Sequence, residues 1–202
     1  MSQESGITPS RGGGAAPASS SVPIAVQKAA AAIRLASTVG FWLQIVLGVI
    51  SAAILLIASA TFLGSKTLYP GIGFGLFCAA AGVIALVVSI FFFFRYKKIA
   101  NLMMTLDPAL RPKKSYTLRI INLGLISNIT GMFLTIVGAE TLVGLLLGKF
   151  LKLPQGANSS TIDPSQLPNA GEFMIALANT HTIFSHFAGI VIALWLINRL
   201  NR

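Results

Sequence analysis

The chain is predicted to be an all-α polytopic membrane protein whose four transmembrane helices form a bundle, and three observations predict it. Four long apolar stretches, at residues 39–63, 67–94, 120–148 and 173–198, each exceed the roughly 20 apolar residues that a helix rising 1.5 Å per residue needs to cross a bilayer. Among them they hold a single formal charge, Glu140. The composition agrees: 54% hydrophobic and 10% charged residues, with mean hydropathy +0.80, leave too little polar surface to cover a water-soluble domain of this size. Finally, the basic residues concentrate on one side of these stretches, as the retention of Lys and Arg on the cytoplasmic side requires.

Residues 1–22 are rich in Ser, Gly, Ala and Pro and bury too little apolar surface to offset the entropy of ordering, so they are read as a disordered tail preceding a four-span membrane domain over 23–202. No apolar core follows the start, which excludes a secretory signal, and the single arginine before Lys28 is too few for the usual basic transit peptide. The Ala-rich segment 23–38, with Lys28 and Arg34, reads as a helix that either lies at the interface or extends the first span inward. At the end of the second span, Phe91 to Tyr96 and then Lys97 and Lys98 put aromatic rings and snorkelling cations at a membrane border. That helix is predicted to continue to Leu106 and to stop at Asp107-Pro108.

Between spans two and three lie Arg95, Lys97, Lys98, Arg111, Lys113, Lys114 and Arg119 against one acid, Asp107. These residues set topology and offer contacts to anionic lipid headgroups. On the other side Lys149 and Lys152 are balanced by Asp163 and Glu172. Both termini and the basic loop are therefore expected on the cytoplasmic or stromal side. The net charge of +10 flanks hydrophobic spans instead of forming an aromatic-interleaved surface, so no nucleic-acid partner is expected. The stretch 149–172 carries the turn chemistry of a solvent-facing connector, with Pro154, Gly156, Pro164 and Pro168. A lone cysteine, Cys78, rules out a disulfide framework.

Within the spans, small residues recur at Gly71 and Gly75, at Gly124, Gly131 and Gly138 in steps of seven, and at Gly144 and Gly148. Helices in lipid associate by close backbone approach, so these positions are expected at helix–helix contacts, within the bundle or in self-association. Polar groups are few: Gln44, Asn128, Glu140, Asn179, His181 and His186. A carboxylate in hydrocarbon is costly unless protonated, paired or hydrated, which makes Glu140 a functional candidate. Equal depth in antiparallel spans three and four places His181 or Asn179 as its partner across their interface. His181 and His186 are about 140° apart around a helix and cannot meet one ion from one face, whereas His186 shares a face with Asn179 and Thr182. That face either lines a pathway or makes an interhelical hydrogen bond. No nucleophile elbow, phosphate loop, metal-protease motif or dinucleotide fingerprint is present, and no enzymatic activity or resident cofactor is expected.

Three segments in order carry a family resemblance: Gly40-Phe41-Trp42-Leu43-Gln44, then Asn128-Ile129-Thr130-Gly131-Met132 running to Thr141-Leu142-Val143-Gly144, then Asn179 to Gly189 with Ser185-His186-Phe187. Together they resemble the chloroplast inner-envelope family called permease in chloroplasts, also described as a small component of the inner-envelope protein import translocon, with its cyanobacterial relatives. The resemblance implies four spans and two roles, iron permeation and participation in preprotein translocation, with iron as substrate. Plant members hold Gln at the position of Glu140 and lack His at that of His181, so a metal pair there is no family-wide requirement. The short N-terminus resembles cyanobacterial members, which implies a plasma or thylakoid membrane, the plastid inner envelope being the alternative. Two functions are therefore expected: a small transport protein working through Glu140, His181, His186 and Asn179, or a non-transporting interaction subunit. Either is expected as a homo-oligomer or beside other membrane subunits.

Overall fold

The computed structural model describes residues 21–62, 70–153 and 167–201. All of the predicted tail except Ser21 and Val22, and the Pro-rich stretch 154–166 with Asn158, lie outside the described residues. Four helices follow one another: α1 (Ile24–Phe62), α2 (Pro70–Met103), α3 (Lys114–Lys152) and α4 (Ala170–Asn201). A single 3-10 turn, Pro108–Leu110, lies between α2 and α3. Each α-helix is long and apolar enough to cross a membrane. Their outer faces expose large apolar side chains such as Val49, Val87, Phe133 and Val191, which contact the bilayer, and the chain is an integral membrane protein.

α1 and α3 contain 39 residues each, about 58 Å of helix, against a hydrocarbon core of about 30 Å. The excess lies largely at one end. The segment 23–38 is indeed an extension of the first span, since α1 runs unbroken from Ile24. α2 stops at Met103, earlier than expected, because the chain turns before the proline: the Thr105 hydroxyl donates to the Leu102 carbonyl and the Arg111 side chain donates to the carbonyls of Thr105 and Leu106. Asp107 then caps the 3-10 turn through the amide of Ala109.

Neighbouring helices are antiparallel, as their contacts show: Arg34 donates to Asn101 and Ser89 donates to Gln44, so α1 rises as α2 descends. The helices close into a ring in which each packs on its sequence neighbours and α4 packs back on α1, with α2 and α4 approaching across the diagonal. The described ends of α1 and α4 share one end of the bundle with the basic connector, because Ala25, Met103, Arg111 and Leu200 line one cavity there.

The interior has three layers. At the basic end Ile33, Phe93, Tyr96, Ile121 and Leu196 form an apolar cluster, and at the opposite end Ala58, Ile72, Ala79, Leu142 and Ile175 form a second. Polar side chains occupy the middle. The opposite end is also fixed by a capping box at the start of α4, in which Asn169 Oδ1 accepts from the amide of Gly171 and Glu172 Oε2 accepts from that of Asn169. Lys149, at the end of α3, donates to the other oxygen of Glu172, so the acid that balances the basic residues on this side also ties two helices together.

Glycine placement explains how the helices come so close. A Cβ at Gly71 would lie 2.6 Å from Leu145, one at Gly75 2.6 Å from Leu142, and one at Gly138 2.8 Å from the Cβ of Cys78. Gly124 and Gly131 face Tyr96 and His186. The seven-residue seam of α3 is thus the inner seam of the bundle. Gly144 and Gly148 are the exceptions, with nothing within 4 Å of their Cβ positions, because they fall off that seam and face outward.

Candidate functional site

The middle layer is built from buried polar side chains of all four helices. Gln44 on α1 lies on the face that also buries Gly40 and Ser51, and Ser89 is the only hydroxyl of α2 between Pro70 and Phe94. Asn128 on α3 follows Gly124 by four residues and so shares the seam. His186 on α4 shares its inner face with Asn179, Thr182 and Gly189. Gln44, Ser89 and His186 have no exposed surface and Asn128 has 2%.

These groups bond one another across all four helices. Ser89 donates to Gln44 Oε1 at 2.9 Å, and Gln44 Nε2 donates to Asn128 Oδ1 at 2.8 Å and to the Ser185 carbonyl at 3.2 Å. Asn128 Nδ2 donates to the Gly124 carbonyl at 2.9 Å, which fixes the amide with its oxygen toward Gln44 and His186. The imidazole of His186 places Nδ1 3.1 Å from Asn128 Oδ1 and Nε2 3.2 Å from the Gly82 carbonyl; both oxygens are acceptors, so the neutral ring donates its one N–H to one of them and packs against the other. Gly131 and Gly189 supply the room: a Cβ at Gly189 would lie 2.5 Å from both Asn128 Oδ1 and Gln44 Nε2. One turn further along, Ser51 meets Thr182 at 2.6 Å and the Ala178 carbonyl at 2.8 Å, and Thr135 bonds the Gly131 carbonyl.

The predicted site residues separate into two groups. Asn179 and His186 are buried on the inner face of α4, as their shared face requires. His186 takes the interhelical hydrogen bond, whereas both amide atoms of Asn179, beside Gly138, are without a partner among the described residues, as is the Ser185 hydroxyl. Glu140 and His181 do not form the expected pair. Glu140 is exposed on the outside of α3 and has no hydrogen bond or ion pair among the described residues, while His181 is half-buried and its Nδ1 bonds the Leu177 carbonyl of its own helix. The reason is angular: Glu140 follows the seam glycine Gly138 by two residues, about 200° around the helix, and therefore points away from α4. Among the described residues, no group of three His, Cys, Asp or Glu side chains is placed to hold a metal ion.

Sequence reasoning singled out Gln44 and Asn128 as polar but did not join them, and it passed over Ser89, Ser51 and Thr135. Their signal was present. Each is an isolated polar group on a helix face otherwise defined by glycine, alanine or large apolar residues.

Four membrane-crossing helices cross-linked by a buried amide, hydroxyl and imidazole network define a small integral membrane protein of the four-span helical-bundle class. Residues 23–201 match a family described as a protein of unknown function, DUF3611, and the chain belongs to that family. It is also similar to Protein TIC 21, chloroplastic, of Arabidopsis thaliana, with 27% identity over 175 residues, covering 85% of this chain and 57% of that protein. The chain thus spans a little over half the length of that relative. No solved structure matches it.

Proposed function

We propose that this protein is a membrane interaction subunit that docks onto another transmembrane helix through the outer face of α3. The observation that carries this reading is the outward Glu140, about 13 Å along the helix from Lys149 and so within the hydrocarbon, in line with Gly144 and Gly148 at four-residue spacing. A carboxylate facing lipid costs several kcal/mol, and open glycines beside it allow a partner helix to approach closely and donate a hydrogen bond. The resemblance to a family described as a component of the inner-envelope protein import translocon supports an assembly of this kind. The cross-linked centre supports it too, since Gln44, Ser89, Asn128 and His186 direct their hydrogen-bonding groups to one another and to backbone carbonyls, holding the four helices in register.

The test is crosslinking in native membranes from Gly144→Cys, with a partner subunit or a second copy expected in the product. Glu140→Leu should lower association about three- to tenfold, the effect of an interhelical polar contact, and Gly144→Ile should lower it by blocking close approach of the partner helix, whereas Glu140→Gln, which keeps a hydrogen-bonding group, should retain most of it. A strictly monomeric protein, uncrosslinked from Gly144→Cys, would sink this reading.

Iron permeation is the second reading, and the buried, unpaired Asn179 amide favours it. It requires that the isolated protein, reconstituted in vesicles, move iron down an imposed gradient and that Asn179→Leu stop it. On the interaction reading no such flux is expected. Orientation follows from charge: the basic end faces the cytoplasm or stroma, in a cyanobacterial plasma or thylakoid membrane or a plastid inner envelope. An impermeant thiol reagent added outside sealed vesicles is then expected to label Asn158→Cys and to leave Lys113→Cys and Lys114→Cys unreacted; the reverse pattern would invert the assignment.

A further inference from the structure

At the basic end, the extensions of α1 and α4 leave a groove of about 690 Å³ between them, lined by Lys28, Ala31, Ala32, Leu35, Trp195, Asn198 and Arg199. Its volume falls within the range of small-ligand sites, roughly 300–1,000 Å³. The lining is ordered along the bundle axis. Leu35 and Trp195, 63% and 47% exposed, lie at the membrane border, while Lys28 lies two turns of α1 nearer the end, about 10 Å further out, with Arg199 one turn of α4 beyond Trp195. Neither Lys28 nor Arg199 makes a hydrogen bond or ion pair among the described residues, so two cations face a groove whose inner part is apolar.

A second groove of about 490 Å³ on the α2–α3 side also combines cations with apolar side chains, Arg95 and Lys98 lining it with Phe91, Phe94, Leu102 and Tyr116, and Arg95 donates to the Tyr116 hydroxyl. We infer that the Lys28–Arg199 groove is a binding site for an anionic phospholipid, its phosphodiester held by the two cations and its upper acyl chain lying along Leu35 and Trp195. A free phosphate ion would satisfy the cations but leave the apolar floor uncovered. A lipid matches both parts, and basic pockets between transmembrane helices are the recurrent form of headgroup site. The surrounding charge favours it further, since Asp107 is the only acid against ten Lys and Arg among the described residues of this end.

The experiment uses Trp195 as its own reporter. In the Trp42→Phe protein, which keeps Trp195 as the one tryptophan, reconstituted in phosphatidylcholine vesicles, fluorescence quenching by brominated phosphatidylglycerol is compared with quenching by brominated phosphatidylcholine. Phosphatidylglycerol is expected to quench at much lower mole fraction, and Lys28→Gln with Arg199→Gln to remove that preference by roughly thirtyfold, about tenfold in 1.4 kcal/mol for two charges at about 1 kcal/mol each. Arg95→Gln with Lys98→Gln should leave it unchanged, because that groove is not beside Trp195. Equal quenching by the two lipids, or a preference that survives Lys28→Gln with Arg199→Gln, overturns the site. Relief of quenching by an excess of free glycerol phosphate would assign the groove to a soluble phosphate instead. Both altered side chains are exposed and unpaired, and unchanged helicity and elution confirm that any loss is not misfolding.

Discussion

Replacing Gly131 by leucine is expected to prevent formation of a stable four-helix bundle. A Cβ at this position would run into the imidazole of His186 and lie 2.8 Å from the Cβ of Ala85, so even alanine is too large for the gap where α2, α3 and α4 meet. Neither neighbour can move aside. Ala85 is fixed to its backbone, and the ring of His186 is confined between Asn128 Oδ1 and the Gly82 carbonyl. Overpacking in a tight core costs about 1–3 kcal/mol, and more where the neighbours cannot yield. The expected readout is loss of the monodisperse species in gel filtration or a large fall in the thermal midpoint in detergent. Gly73→Leu, on α2, is the control for hydrophobic bulk, since nothing lies within 4 Å of that exposed site, and its bundle should melt with the wild type. A Gly131→Leu protein as stable as the parent would mean that the helices do not cross this closely.

Asn128→Ala is expected to destabilise the protein by about 2–4 kcal/mol, the second largest effect of a single change. The figure follows from the partners left behind. Gln44 Nε2 loses its shorter hydrogen bond and His186 loses one of its two interhelical contacts, both inside a layer with no access to solvent. Interhelical hydrogen bonds in membranes average about 0.6 kcal/mol and reach about 1.7, because the separated helices also find partners, while a buried group left unsatisfied costs about 1–3 kcal/mol. Asn122→Ala, on the exposed face of the same helix, should fall within about 0.5 kcal/mol of the parent. Unfolding titrations of Asn128→Ala, Gln44→Leu and the double variant test the network directly: strong non-additivity is expected, and independent effects would show that the two amides do not act together.

The sequence by itself determined the class and layout of this protein. Four spans, the helicity of the segment preceding span one, the basic end shared by both described helix termini and the seven-residue glycine stripe of α3 were all legible, because bilayer thickness and helical periodicity constrain them locally; whether that segment extends α1 and whether the stripe faces inward were decided by the structure. The family resemblance was legible for the same reason: its segments contain Gln44, Asn128, Gly131, His186 and Gly189, the residues that meet at the centre. Which polar groups pair was left to the tertiary structure. Depth along a helix is set by residue count, but partnership also requires an angle, and Glu140 had the depth of span four while pointing about 200° from the seam that faces it. The seven-residue glycine repeat held that angle, yet it became decisive only once Gly131 and Gly138 were seen against His186 and Cys78. Ser89 shows the other side of this: one hydroxyl in an apolar span says nothing of its partner until α1 brings Gln44 within 2.9 Å. Local physics fixes each helix and its depth, whereas the choice among equally deep polar partners is made by the rotation at which four helices pack together.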